Sequence, residues 1–171
     1  MAFNIVLVHP VIPQNTGNIG RLAGATNTIL HLIEPLGFTI TDAKLKRAGL
    51  DYWPEINLVQ HKSWKHFLES TGAKEEQIYL FTKKTEQSYF TAEFEDGDFL
   101  VFGAETTGLP EEIHQWYSTR RYCIPMDNPN VRSLNLANSA SIILYEAKRQ
   151  LWAKNGNLEK PQVRGFTLKH A

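Results

Sequence analysis

The chain has 171 residues, 42% hydrophobic and 21% charged, the make-up of a single globular domain. Its 18 Lys and Arg balance 18 Asp and Glu, which excludes a strongly basic coat that binds nucleic acid by many phosphate contacts but leaves room for a local RNA-binding patch. No run approaches the ~20 consecutive apolar residues of a membrane span, and no basic n-region precedes an apolar stretch at the start, so a cytoplasmic protein is expected.

In chain order, short apolar runs at 3–8, 29–33, 56–59, 78–81, 99–102 and 122–124 predict strands. Several lack polar alternation, as in a parallel sheet buried on both faces. Helices are expected at 18–26, 64–70, 111–116 and 133–153. In the last of these, Leu134, Leu136, Ala137, Ala140, Ile143, Leu144 and Ala147 form an apolar stripe, and Asn155-Gly156 stops it. Alternating strands and helices imply an α/β fold with a mostly parallel sheet flanked by helices. The single Cys123, between Tyr122 and Ile124, reads as a buried small hydrophobe. Residues 1–153 read as one domain and 154–171 as a mobile, mildly basic tail, with Lys154, Lys160, Arg164 and Lys169. Smaller basic clusters (Lys44, Lys46 and Arg47; Lys83 and Lys84; Arg120 and Arg121; Lys148 and Arg149) each read first as solvated surface.

Neither a phosphate-loop signature nor a nucleophile elbow is present, and the scattered histidines have no metal-ligand spacing, so no metal is expected. Three other segments concentrate Gly, Pro, Asn and Arg where strands should end. The first is 13–21, PQNTGNIGR, read as a loop between strand and helix in which Arg21 offers a fixed cationic fork. The second is 102–110, FGAETTGLP, where a glycine would let a ligand lie on the main chain, while Glu105 would favour a cationic ligand or cap the next helix. The third runs from 124 to 140 and delivers Ser133, expected as N-cap, and Asn135 to the first turn of the long helix. Asn135 and Asn138 are poor helix residues unless their amides have a task. Taken singly, each segment is matched by a bland reading as an ordinary turn.

In this order the three segments resemble the motifs of the SPOUT superfamily of RNA methyltransferases: N-x-G-x-x-x-R (Asn15, Gly17, Arg21), F-G-x-E-x-x-G-L-P, and I-P-M followed by R-S-L-N-L. The likeness is greatest to the tRNA (cytidine/uridine) wobble-position 2′-O-methyltransferases, and residues 33–38 and 47–52 share in it. The resemblance implies an α/β knot, a C-terminal trefoil, with S-adenosylmethionine as methyl donor and S-adenosylhomocysteine as product. It implies a cofactor site at Phe81, Thr82, Gly103, Glu105, Gly108, Ile124, Met126, Ser133, Leu134 and Asn135. Asn15, Arg132 and Tyr145 would meet a tRNA substrate, and Arg21 would be the catalytic group. Methyl transfer from a sulfonium needs alignment rather than a metal. A guanidinium is almost never deprotonated, so Arg21 is better suited to stabilising an oxyanion than to acting as a base. The resemblance also implies a homodimer in which Arg21 of one copy reaches the cofactor site of the other. Ribose methylation of another tRNA or rRNA site, and a non-catalytic RNA-binding protein on the same fold, are the alternatives. A dinucleotide oxidoreductase fits poorly, since no G-x-G-x-x-G follows the first strand.

Overall fold

The computed structural model describes residues 3–40 and 56–156. The expected cluster at Lys44, Lys46 and Arg47, the 47–52 stretch and nearly all of the tail lie outside the described residues. Within them the chain forms β1 (Asn4–Val8), α1 (Pro13–Thr26), β2 (Ile29–Ile33), β3 (Leu58–His61), α2 (Trp64–Thr71), β4 (Ile78–Phe81), β5 (Phe99–Phe102), α3 (Glu111–Trp116), β6 (Arg121–Tyr122) and α4 (Leu136–Lys154). The strands form one sheet in the order β3-β2-β1-β5-β4-β6, and every pairing is parallel.

Both faces of the sheet are covered, which is why the strand sequences do not alternate. Ile5 and Leu7 point to the face packed by α1 and α4, whose core includes Ile19, Ala23, Ala140, Ile143 and Leu144. Val6 and Val8 point to the other face, with Trp64 and Phe67 of α2 and Ile113 of α3. This second face also encloses a polar chain. His31 Nε2 meets Asn4 Oδ1, His31 Nδ1 meets His61 Nε2 at 2.9 Å, and His61 Nδ1 meets Ser70 Oγ. Asn4 Nδ2 donates to the Gly97 carbonyl, so Asn4 Oδ1 accepts from His31 and the relay fixes both imidazole tautomers.

Five expectations change. β3 runs over Leu58–His61, displaced by two residues from the expected 56–59. The segment 13–21 is not a loop: α1 begins at Pro13, whose fixed φ and missing N–H suit a first helical position, and Gly17 and Gly20 are buried within the helix. Ser133 is not the N-cap of the long helix. Asn135 is, its Oδ1 accepting from the amides of Ala137 and Asn138, while Ser133 stays exposed two residues upstream. β6 ends at Tyr122, because Cys123 leaves the sheet to pair with Ser88. Cys123 is therefore half-buried rather than a core residue.

Candidate functional site

The sheet order reverses between β1 and β5, and the carboxyl ends of β1, β5, β4 and β6 converge there. Ligands in open parallel sheets bind at such a switch point. A cleft of about 630 Å³ lies at these strand ends, within the size range of small-molecule sites.

All ten expected cofactor residues line it: Phe81, Thr82, Gly103, Glu105, Gly108, Ile124, Met126, Ser133, Leu134 and Asn135. Met126 and Leu134 are among the exposed large hydrophobics, at 38% and 36%, and their apolar surface faces the cleft together with Ile124 and Phe81. Such a wall, with main chain on either side, fits an adenosyl group. Gly108 has a φ of +72°, a left-handed turn that favours glycine.

Gly103, besides lining the cleft, is constrained by its own loop. A Cβ there would lie 2.1 Å from the Gly108 carbonyl carbon and 2.2 Å from the Leu109 nitrogen. The loop closes on itself at this point, with Ala104 and Gly108 exchanging main-chain hydrogen bonds. The glycine is required by the fold of the loop.

Glu105 does not cap α3, whose N-cap is Pro110 without a side-chain bond. Its carboxylate accepts from the amides of Val11 (2.9 Å) and Ile12 (3.3 Å) and from Asn15 Nδ2 (3.0 Å). A negative charge is thus placed at the start of α1, where the helix dipole favours it. Asn15 passes the connection on, its Oδ1 accepting from Asn135 Nδ2. Asn15 and Asn135, expected at the substrate and the cofactor, also tie the walls of the cleft together.

Three expected residues lie outside the cleft. Arg21 is exposed on α1, Arg132 is exposed just before α4, and Tyr145 is 51% exposed on α4. The cleft also holds residues that sequence reasoning missed: Lys83, Lys84, Thr85, His114, Cys123, Leu136 and Ser139. Lys84 Nζ reaches Glu111 Oε2 at 3.0 Å. Burial, then the nearby Lys84, lowers the pKa of the His114 imidazole below its ordinary value. No local pattern distinguishes His114 in the sequence, because only the turn at 103–110 brings α3 against the cleft.

Residues 2–145 match the model of the family described as the SpoU rRNA Methylase family. The chain belongs to this family. Among its relatives, a tRNA (cytidine(34)-2′-O)-methyltransferase of Methylovorus glucosotrophus (strain SIP3-4) is 48% identical over 149 residues, 86% of this chain and 95% of the relative. A solved structure described as giving structural insights into the 2-OH methylation of C/U34 on tRNA is 47% identical. It superposes with a TM-score of 0.82 and covers 89% of this chain and 97% of its own. The SpoU methyltransferase AviRb of Streptomyces viridochromogenes, solved with AdoMet, is 27% identical with a TM-score of 0.75, over 86% of this chain and 57% of that one. Among the described residues no helix is long and apolar enough to cross a membrane, and no group of three or more His, Cys, Asp or Glu is placed to hold a metal.

Proposed function

We propose that this SpoU-family protein is a cytoplasmic homodimer that transfers the methyl group of S-adenosylmethionine to the ribose 2′-hydroxyl of the pyrimidine nucleotide at tRNA position 34. What carries the reading is 47–48% identity, over most of both chains, to proteins described by that reaction. The cleft built from the motif segments supports it.

The donor supplies an electrophilic methyl group on a sulfonium. Ile124, Met126, Leu134 and Phe81 would hold its adenosine, with the main chain of Thr82, Gly103, Gly108 and Ser133 around it. Glu105, Asn15 and Asn135 act by positioning these walls. Arg21 would stabilise the alkoxide emerging from the weakly acidic 2′-hydroxyl, as a charge that needs no reorganisation. It follows Asn15 by six residues, ~9 Å along the helix and on a different side, so within one chain it faces away from the cleft.

A two-fold pairing through α1 and α4 would bring Arg21 of one copy to the cleft of the other. Ile142 and Tyr145, exposed on α4, would gain cover in such a pairing. Arg132, and Tyr145 where it remains accessible, would meet the tRNA. We assign residues 1–153 to the catalytic domain, with the trefoil knot expected of the fold.

Nucleoside mapping of tRNA from a deletion strain, before and after the gene is restored, tests the reading. A 2′-O-methyl pyrimidine at position 34 should vanish and return. A methyl group on a base, or on rRNA, would overturn it.

A further inference from the structure

The α3 side of the cleft carries a polar side chain with nothing to bond. His114 is 2% exposed, and neither Nδ1 nor Nε2 has a hydrogen-bond partner among the described residues. Buried polar groups almost always find a partner, and one that does not calls for an explanation. His114 also lines the cleft, as do Thr82, Lys84 and Thr85, so a molecule bound there could supply the partner.

The charges around it indicate which kind of group would bind. Lys84, Glu111 and Arg121 act on His114, two cations against one anion. Lys83 and Lys84 line the cleft, and the one carboxylate among the lining residues, Glu105, already accepts from Val11, Ile12 and Asn15. A neutral imidazole offers an N–H donor and Lys84 an ammonium. This end of the cleft therefore suits an anionic acceptor, whereas the wall of Ile124, Met126 and Leu134 suits an apolar ring.

We propose that His114 and Lys84 form the subsite for the carboxylate at the amino-acid end of the methyl donor. The His114 N–H donates to one carboxylate oxygen, and Lys84 turns from Glu111 to share the charge. The inference rests on the methyl-donor assignment above and adds to it the residues that distinguish a whole donor from its adenosine part.

The test compares two ligands by calorimetry on the full chain: S-adenosylhomocysteine, and 5′-methylthioadenosine, which keeps the adenosine and thioether but lacks the amino-acid end. His114→Leu should weaken S-adenosylhomocysteine by about tenfold or more, the loss expected for one hydrogen bond to a charged group. It should leave methylthioadenosine within about twofold, well under one such bond. His114→Gln, which retains an N–H donor, should recover part of the loss, and Lys84→Met should show the same selectivity. Equal losses for both ligands, or no loss for either, in a folded His114→Leu protein would overturn the subsite. If that variant fails to fold, the Lys84→Met comparison decides alone, since Lys84 is exposed. Failure of the parent protein to bind either ligand would instead remove the methyl-donor assignment.

Discussion

Asn135 Nδ2 donates to Asn15 Oδ1 at 2.9 Å, joining the start of α4 to the first turn of α1 across 120 residues of chain. The same Asn135 caps α4 through its other amide atom. Asn135→Ala removes both functions and should destabilise the protein by about 1–2 kcal/mol. Asn135→Asp keeps a good cap but loses the donor to Asn15 and brings a second carboxylate towards Glu105. Its stability should fall between those of the parent and the alanine variant, while affinity for S-adenosylhomocysteine falls in both. Urea unfolding of the three proteins checks the order, and an aspartate variant as unstable as the alanine one would show that the cap contributes less than the bond to Asn15.

Gly103→Ala should be enough to damage the site. A single methyl group there meets main chain at 2.1 Å, so the turn at 104–108 must open. We expect S-adenosylhomocysteine binding to fall by at least about a hundredfold, the equivalent of ~2.7 kcal/mol, with the sheet retained by circular dichroism. Parent-like calorimetric affinity would show that the turn tolerates a side chain.

The pH dependence of stability should contain two opposed parts. Burial pushes the Asp98 carboxyl up to about 6, while burial and the neighbouring His61 push the His31 imidazole down to about 4. Between about pH 4 and pH 6 the folded chain holds a proton on Asp98 that the unfolded chain releases, so that contribution falls as pH rises. Over the same range the unfolded chain binds a proton at His31 that the folded chain refuses, so that contribution rises with pH. His61, also lowered, adds to the rising part. Asp98→Asn should therefore steepen the rise of unfolding free energy with pH, by up to about 1.4 kcal/mol per pH unit, and His31→Gln should flatten it. Denaturant unfolding across this range measures both, and a parent curve parallel to that of Asp98→Asn would contradict the assignment.

Arg21→Ala should bind S-adenosylhomocysteine like the parent, because Arg21 does not line the cleft, yet lose most methyl transfer. Single-turnover rates within about a factor of three, a barrier change below ~1 kcal/mol, would remove it from the chemistry. If the site is shared between copies, co-expression of Arg21→Ala with Gly103→Ala gives mixed dimers with one intact site each. With random pairing, roughly a quarter of parental activity should return. No recovery despite verified mixed dimers would place Arg21 with its own chain's cleft.

The sheet is largely legible in the sequence because β4 and β5 are continuous apolar runs and β1 and β2 each carry a single polar residue, Asn4 and His31; Ile29–Ile33, Ile78–Phe81 and Phe99–Phe102 fall on the expected residues. The sequence pattern starts α1 five residues late because Asn15 and Gly17 are weak helix formers. Burial of those residues within the fold outweighs propensity there. The cleft residues are legible only through the joint order of the three segments. The tasks of Glu105, Asn15 and Gly103 are not, since each depends on a contact with another part of the chain. His114, and the His31–His61 pair, are isolated histidines in sequence and acquire meaning only by burial.

The contacts that hold the cleft together span 90 and 120 residues, from Glu105 to Asn15 and from Asn135 to Asn15. No partly folded chain that lacks one of these segments can present the complete site. A ligand that needs all three walls therefore binds the native state alone, and its whole binding free energy appears as added stability, growing as RT ln(1 + [L]/Kd). A thermal shift with S-adenosylhomocysteine would then report the integrity of the entire sheet as well as the state of the cleft, so that a distant core substitution which frays β1 or β5 would be read as weakened binding.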